Sequence, residues 1–185
     1  MSEGIPGCLG CATPFTSGQI WLSHMLQGHQ AIVQFMNTKY GWHACETLHF
    51  VGLSLLIGTI GMFDLRVMGI GKRIPIAPLH RLAPWGIAGF ILNLVTGLMF
   101  LMTFPNTYVY QWPFIFKVTF IGIAALNALI FNLIVMRKVE ALGPGDDAPI
   151  VAKIMCAASL CLWIGVMFAG RYLAFYKPLF TAKAP

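Results

Sequence analysis

Long apolar stretches separated by short polar segments dominate the pattern along this chain. Four stretches contain no charged residue: 47–63, 82–116, 118–136 and 154–170. A helix that crosses the hydrocarbon core of a bilayer needs about 20 mainly apolar residues. The pattern therefore predicts four transmembrane helices, at 45–68, 82–104, 113–136 and 151–174.

The second apolar stretch is too long for one span. It is interrupted at 104–106 by Phe104, Pro105 and Asn106, and proline cannot continue a helix. We therefore expect 107–112 to be a surface loop. Its aromatic side chains suit the membrane interface, and they are Tyr108, Tyr110 and Trp112.

A further helix is predicted at 18–37, before the first span. Its apolar residues recur at near-helical spacing among glutamine, histidine and serine, and they are Ile20, Trp21, Met25, Ile32, Val33 and Met36. The segment is too polar to cross a membrane, so we expect it to lie in the plane of the outer interface.

The expected fold is all-α, a four-transmembrane-helix bundle with an N-terminal amphipathic interfacial helix. Glycines within the spans favour this fold because they let helices approach closely. The chain then divides into three parts: 1–42, the tail and interfacial helix on the outer side; 43–176, the membrane domain; and 177–185, a C-terminal tail.

Composition agrees with a membrane protein. The chain of 185 residues is 58% hydrophobic and 10% charged, and its mean hydropathy is +0.76. Soluble domains carry about 25% charged residues. The net charge of +6 is not gathered into one stripe, so we expect the lipid bilayer and no nucleic acid as a partner.

The basic residues predict the orientation of the chain. The loops at 66–81 and 137–153 share one side and carry Arg66, Lys72, Arg73, Arg81, Arg137, Lys138 and Lys153. By the positive-inside rule this side is cytoplasmic. We therefore expect a multi-pass protein of a bacterial inner (plasma) membrane with its N- and C-termini in the periplasm.

Polar residues near the outer end of the spans form the first candidate site. Glu46, His49, Lys117 and Arg171 each lie within about two turns of a predicted helix end, so they can share one layer. His24 and His29 lie on the same side, before the first span. An ionisable residue inside a membrane segment is a functional-site hypothesis by default.

Histidine is the usual axial ligand of haem iron. His49, His24 and His29 are therefore the candidate haem or metal ligands, with haem b as the expected cofactor. Lys117 and Arg171 suit the haem propionates. Two simpler interpretations stay open: His49 as a hydrogen-bonded interior histidine, and the two cations as side chains that reach the headgroups.

A structural polar cluster is predicted near the inner end, at Asp64, Arg66, His80 and Arg81. Asp64 is expected to pair with Arg66 or Arg81. His80 is expected to cap the second span. Deeper in the bundle, Asn93 and Asn127 are expected to form interhelical hydrogen bonds.

The remaining chemistry is sparse. Cys8 and Cys11 form a CxxC motif, but Ala12 follows it, so c-type haem attachment is excluded. A disulfide, soft-metal ligation and a plain tail remain open for these cysteines. Hydrolase, protease and nucleotide-binding motifs are absent, which favours a redox or accessory subunit over a stand-alone enzyme.

Several segments resemble a known family. They are 46–52 with 64–66, 79–85 with 96–97, and 116–117 with Asn127. They are similar to a family of small bacterial four-helix integral membrane proteins, which is itself distantly similar to copper-resistance membrane domains and transmembrane b-type cytochromes. The resemblance covers about 43–137. It implies that the family pattern includes His49, Asp64, Arg66, His80, Arg81 and Lys117.

Three functions remain open from the sequence. The leading one is a b-type haem electron-transfer subunit whose site lies near the periplasmic face, with a periplasmic redox protein or quinone as partner. The second is a structural or accessory subunit that joins other membrane subunits or a second copy of itself. The third is a small-solute or copper-handling membrane protein.

Overall fold

The computed structural model describes Trp21, Met25, 30–109, 111–143 and 145–175. Most of these residues are helical, and none of them is in a strand. The helices are α1 (Gln30–Met36), α2 (Gly41–Met68), α3 (Ile76–His80), α4 (Ala83–Thr103), α5 (Pro105–Val109), α6 (Trp112–Ile130), α7 (Met136–Glu140) and α8 (Ile150–Phe175). A π-helical segment, Phe131–Val135, joins α6 to α7.

The prediction of an all-α four-helix membrane bundle is confirmed. Within the described residues, four helical stretches are long and apolar enough to cross a membrane: Gly41–Met68, Ile76–Thr103, Trp112–Glu140 and Ile150–Leu173. The first begins earlier than predicted, and the third continues through α7. The protein is therefore a multi-pass membrane protein with α2, α4, α6 and α8 as its spans.

The connection between the second and third spans differs from the predicted loop. Pro105 ends α4 as expected, but it also begins a short helix, α5. Proline is well suited to a first helical turn, where its missing N–H is not needed. Tyr108 is half-buried in this segment, whereas Trp112 is 66% exposed at the start of α6. Tyr110 lies outside the described residues.

Only the C-terminal part of the predicted interfacial helix is described as a continuous helix. This part is α1, which packs against α4 and α2 and buries Met36. Trp21 and Met25 are also helical. The other residues before Gln30, including His24 and His29, lie outside the described residues.

The four spans pack in the spatial order α4, α2, α8, α6. Helix α2 packs against both α4 and α8, and α6 packs against α8. The Asn127 amide of α6 donates to the Met155 carbonyl of α8 at 3.0 Å, as predicted for an interhelical bond. Asn93 instead donates to Gly89 within its own helix. Since α4 and α6 lie at opposite ends of the row, their backbones hardly approach each other.

The loop residues 69–75, 141–143 and 145–149 lie at one end of the bundle, which we call the basic end. Helix α2 stops there at Gly69, whose φ of 106° is readily available only to glycine. The N–H groups of Gly69 and Ile70 bond back to Arg66 and Leu65, the pattern of a Schellman motif. This turn leads the chain into the loop that precedes α3.

A carboxylate joins the two loops of the basic end. Asp147 contacts the ammonium groups of Lys153 at 2.7 Å and of Lys72 at 3.1 Å. Hydrogen bonds from Lys153 and Lys72 hold the pKa of Asp147 below its ordinary value. The pair of contacts therefore links the segments that follow α2 and α7.

Candidate functional site

A cleft of about 520 Å³ separates α4 from α6. Its floor is formed by α2 and α8, where Leu56 and Cys156 are buried. Residues on its two rims are exposed, Ile87 on α4 and Ala125 on α6 among them. Because these rims lie within membrane-spanning helices, the cleft opens sideways towards the lipid.

Small residues make room for this cleft. On α6, Ala124, Ala125 and Ala128 line it, and Gly86 lines it on α4. A Cβ at Gly86 would lie only 2.6 Å from the Thr59 hydroxyl oxygen. At Gly86, α4 therefore lies close to α2. The short side chains of α6 leave space between α6 and α4.

Asp64 is the principal polar group of the cleft floor. Asp64 is only 4% exposed. The polar neighbours of its carboxyl group are the Ser159 hydroxyl and the Cys156 thiol of α8. Its Oδ2 atom is buried and has no hydrogen-bond partner. Most buried polar atoms in proteins are hydrogen-bonded, so the unpaired oxygen makes the Asp64 carboxyl group the unusual polar feature of the cleft floor.

The π-helical segment lies beside the same cleft. Phe131 and Asn132, its first two residues, line the cavity. Single-turn π-helical insertions are rare and occur frequently at functional sites. Here the insertion changes the helical rotation of the third span near Asp64.

The cleft is closed at the basic end. There, α3 contacts α7, and the His80 Nδ1 atom lies 3.2 Å from the Glu140 carboxylate. His80 also lines the cavity. The His80–Glu140 contact therefore joins the α4 side of the cleft to its α6 side at the basic end.

The predicted polar cluster of Asp64, Arg66, His80 and Arg81 is not assembled. Asp64 faces α8, Arg66 bonds to loop carbonyls, and Arg81 is exposed. The expected pairing of Asp64 with an arginine is wrong within the described residues. For Arg66 the reason is helical rotation: residues two apart lie about 200° apart around a helix and do not face each other.

At the opposite end of α2, His49 is half-buried and bonded to α4. Its Nδ1 atom lies 2.8 Å from the Thr96 hydroxyl oxygen. The Thr96 hydroxyl donates to the Leu92 carbonyl at 2.6 Å, so it accepts from His49. This assigns the ring hydrogen to Nδ1 and leaves a lone pair on Nε2.

The other predicted outer-end residues are partly brought together. Lys117 is half-buried and lies near enough to His49 for a Coulombic interaction. Its ammonium group would lie 3.6 Å from a Cβ at Gly170. Gly170 precedes the exposed Arg171 on α8. Glu46 is exposed on α2. The structure thus places Glu46 at the surface, and a shared layer of His49 and Lys117 stays a prediction.

A multidentate metal site is not found in the part of the chain that is described, since no three histidine, cysteine or acidic residues are grouped there. The predicted ligands His24 and His29, together with Cys8 and Cys11, lie outside that part. Sequence reasoning also missed Ser159 and Cys156 as the polar neighbours of Asp64. Both residues lie on α8, about 90 residues along the chain from Asp64, so no spacing in the sequence links them to it.

Comparisons with protein-family models, with curated proteins and with solved structures found no match for this chain. The fold and the cleft define it as a multi-pass α-helical membrane protein with a buried carboxyl group beside a lateral cavity.

Proposed function

We propose that this protein binds a small amphipathic molecule that reaches it through the lipid phase. The observation that carries the proposal is the buried, unpartnered Oδ2 atom of Asp64 at the floor of the cleft. A polar group inside a membrane protein is costly unless it has a role or a partner. A ligand with an apolar body and a polar head would contact the apolar lining of the cavity and pair with its carboxyl group.

The dimensions and lining of the cleft support this proposal. Ligand sites are typically concave, mostly apolar and about 300–1,000 Å³ in volume, with a few polar groups that fix orientation. The cleft has about 520 Å³, and its exposed rims on α4 and α6 leave a path from the bilayer. These features support the proposal, which is a form of the small-solute-handling function left open by the sequence.

The fluorescent probe 1-aminoanthracene tests this function in phosphatidylcholine nanodiscs. We expect saturable binding by the native protein, above the linear partition into lipid. Ala125→Phe should abolish the saturable part because Ala125 is exposed on the cleft rim and a ring there fills the opening. The measurement is a fluorescence titration at constant lipid.

Ala88→Phe is the matched control, since Ala88 is exposed on α4 and does not line the cleft. It should bind the probe like the native protein. Binding that never saturates, or that survives equally in Ala125→Phe, would remove the basis for the proposal.

We further propose that the basic end faces the cytoplasm of a bacterial inner membrane, with both termini in the periplasm. Arg73, Arg81, Arg137 and Lys138 are exposed at this end, where they suit the anionic headgroups of the inner leaflet. Arg66 is buried and does not contribute to that surface.

A second candidate function is a haem b electron-transfer subunit, and the lone pair on His49 Nε2 favours it. A histidine held through Nδ1 by a hydrogen bond is the usual arrangement of an axial or metal ligand. The donor set fits one axial position, and His24 or His29 would supply the other. Lys117 would hold a propionate. Haem b would give the protein one-electron transfer chemistry.

The haem proposal predicts a Soret band for protein purified from haem-supplied cells, with a shift on dithionite reduction. His49→Ala should abolish the band, and Thr96→Val should weaken haem affinity by about 10- to 100-fold, the usual cost of losing such a hydrogen bond. His43→Ala is the control because His43 is exposed on the same helix. A colourless native protein would rule this function out.

A further inference from the structure

The charges lining the cleft indicate what kind of polar head it takes. Among its lining residues, the acidic and basic side chains are Asp64 and His80. His80 already contacts the Glu140 carboxylate at 3.2 Å, so Asp64 is the lining residue whose charge is left for a ligand. The Asp64 carboxylate is not a member of the ion pairs found between described residues, which involve Asp147 or Glu140.

The hydrogen-bonding groups around Asp64 point the same way. The Thr59 hydroxyl donates to the Leu55 carbonyl at 2.8 Å, and the Asn127 amide donates to Met155. Ser159 and Cys156 interact with the Asp64 carboxyl itself. Their hydrogens are used inside the protein, and the cleft mainly offers lone pairs to a ligand. The donors that remain are the second amide hydrogens of Asn127 and Asn132, the Trp163 indole N–H and the His80 ring.

The aromatic residues of the cleft also suit a cation. Phe63 and Phe131 meet edge to face with centroids 5.8 Å apart, and Phe90 and Trp163 do so at 6.5 Å. All four line the cavity. Aromatic faces attract alkylammonium groups, and the attraction is stronger where water is excluded.

We infer that the ligand of the cleft is a lipophilic amine in its protonated form. This inference rests on the proposed function, because it specifies the ligand of the same cleft. The ammonium group pairs with the Asp64 carboxylate and neutralises it, the aromatic rings contact its first methylenes, and the apolar tail leaves between α4 and α6. Neutralisation inside the membrane removes the cost of the isolated charge.

Displacement of 1-aminoanthracene by three ligands with the same tail tests the inference. Dodecylammonium, dodecanol and dodecanoate differ only in a cationic, neutral or anionic head. In zwitterionic phosphatidylcholine nanodiscs, we expect dodecylammonium to displace the probe at a concentration at least tenfold lower than dodecanol. Dodecanoate should be the weakest.

Asp64→Asn removes the charge at nearly constant shape. Dodecylammonium should lose at least tenfold in affinity for this variant, equivalent to about 1.4 kcal/mol, whereas dodecanol should change little. Unchanged probe binding by the variant will show that its cleft is intact. Glu46→Gln is the charge-matched control, because Glu46 is an exposed carboxylate on the same helix, and it should preserve the order of the three ligands.

The outcomes separate this inference from the proposed function. If the probe binds but dodecanol or dodecanoate displaces it as well as dodecylammonium, the amine assignment is wrong and the cleft remains a ligand site. The same holds if Asp64→Asn leaves the affinity for dodecylammonium unchanged. If the probe shows no saturable binding, both the function and the inference fail.

Discussion

Gly89→Ala is expected to separate α2 from α4 and to lower the free energy of unfolding by about 1–3 kcal/mol, the usual cost of overpacking a close contact. A Cβ at Gly89 would lie 2.6 Å from the Gly52 carbonyl oxygen and 2.8 Å from the Leu56 nitrogen. Both atoms belong to the backbone of α2, so no side-chain rotation relieves the clash. The helices themselves must move apart.

Thermal unfolding of the purified protein, followed by circular dichroism in one detergent, measures this effect. Gly58→Ala is the control because a Cβ at Gly58 meets nothing within 4 Å. Alanine favours a helix interior by about 1 kcal/mol over glycine, so this variant should be as stable as the native protein or slightly more stable. Equal stability of Gly89→Ala and Gly58→Ala would contradict the close approach of α2 and α4.

The number of spans and their approximate ends could be predicted from the sequence. Bilayer thickness fixes the length of an apolar helix, and charged residues or proline mark where each stretch stops. Thus the span predicted at 82–104 is observed at Ala83–Thr103. The end of the third span was predicted less well because the apolar run ends at Met136, while the helix continues to Glu140.

The cleft could not be predicted in the same way. Hydropathy shows which segments cross the membrane, but the packing order of α4, α2, α8 and α6 depends on local contacts such as Gly52 against Gly89. The π-helical segment adds a second obstacle, because one such insertion shifts every following residue around the helix without changing the apolar pattern.

Part of the error about Asp64 was avoidable. The sequence shows a polar residue near the end of an apolar helix, but two residues close along a helix need not be close in space. Helical rotation alone places Asp64 and Arg66 on different sides of α2. The identity of the neighbour on α8, Ser159, depends on the packing of two helices that are distant in sequence.

Arg66→Met is expected to destabilise the basic end by about 2–4 kcal/mol, from the loss of two hydrogen bonds to a charged donor. Arg66 is only 2% exposed. Its Nε donates to the Ile74 carbonyl and its second guanidinium nitrogen to the Gly143 carbonyl. One side chain therefore holds the loop after α2 against the loop after α7. Methionine has a similar length and fills the space, but it leaves both carbonyls without this donor.

Arg66→Lys separates the charge from the geometry of the guanidinium group. Lysine keeps the positive charge near the C-terminal end of α2, where the helix dipole favours it, but its single ammonium cannot reproduce the planar fork that reaches both loops. We expect its stability to lie between those of the native protein and Arg66→Met. Thermal unfolding gives the order, and hydrogen exchange at 69–75 and 141–149 should rise in the same order. If Arg66→Met unfolds at the native temperature with unchanged exchange in both loops, Arg66 does not hold the basic end together.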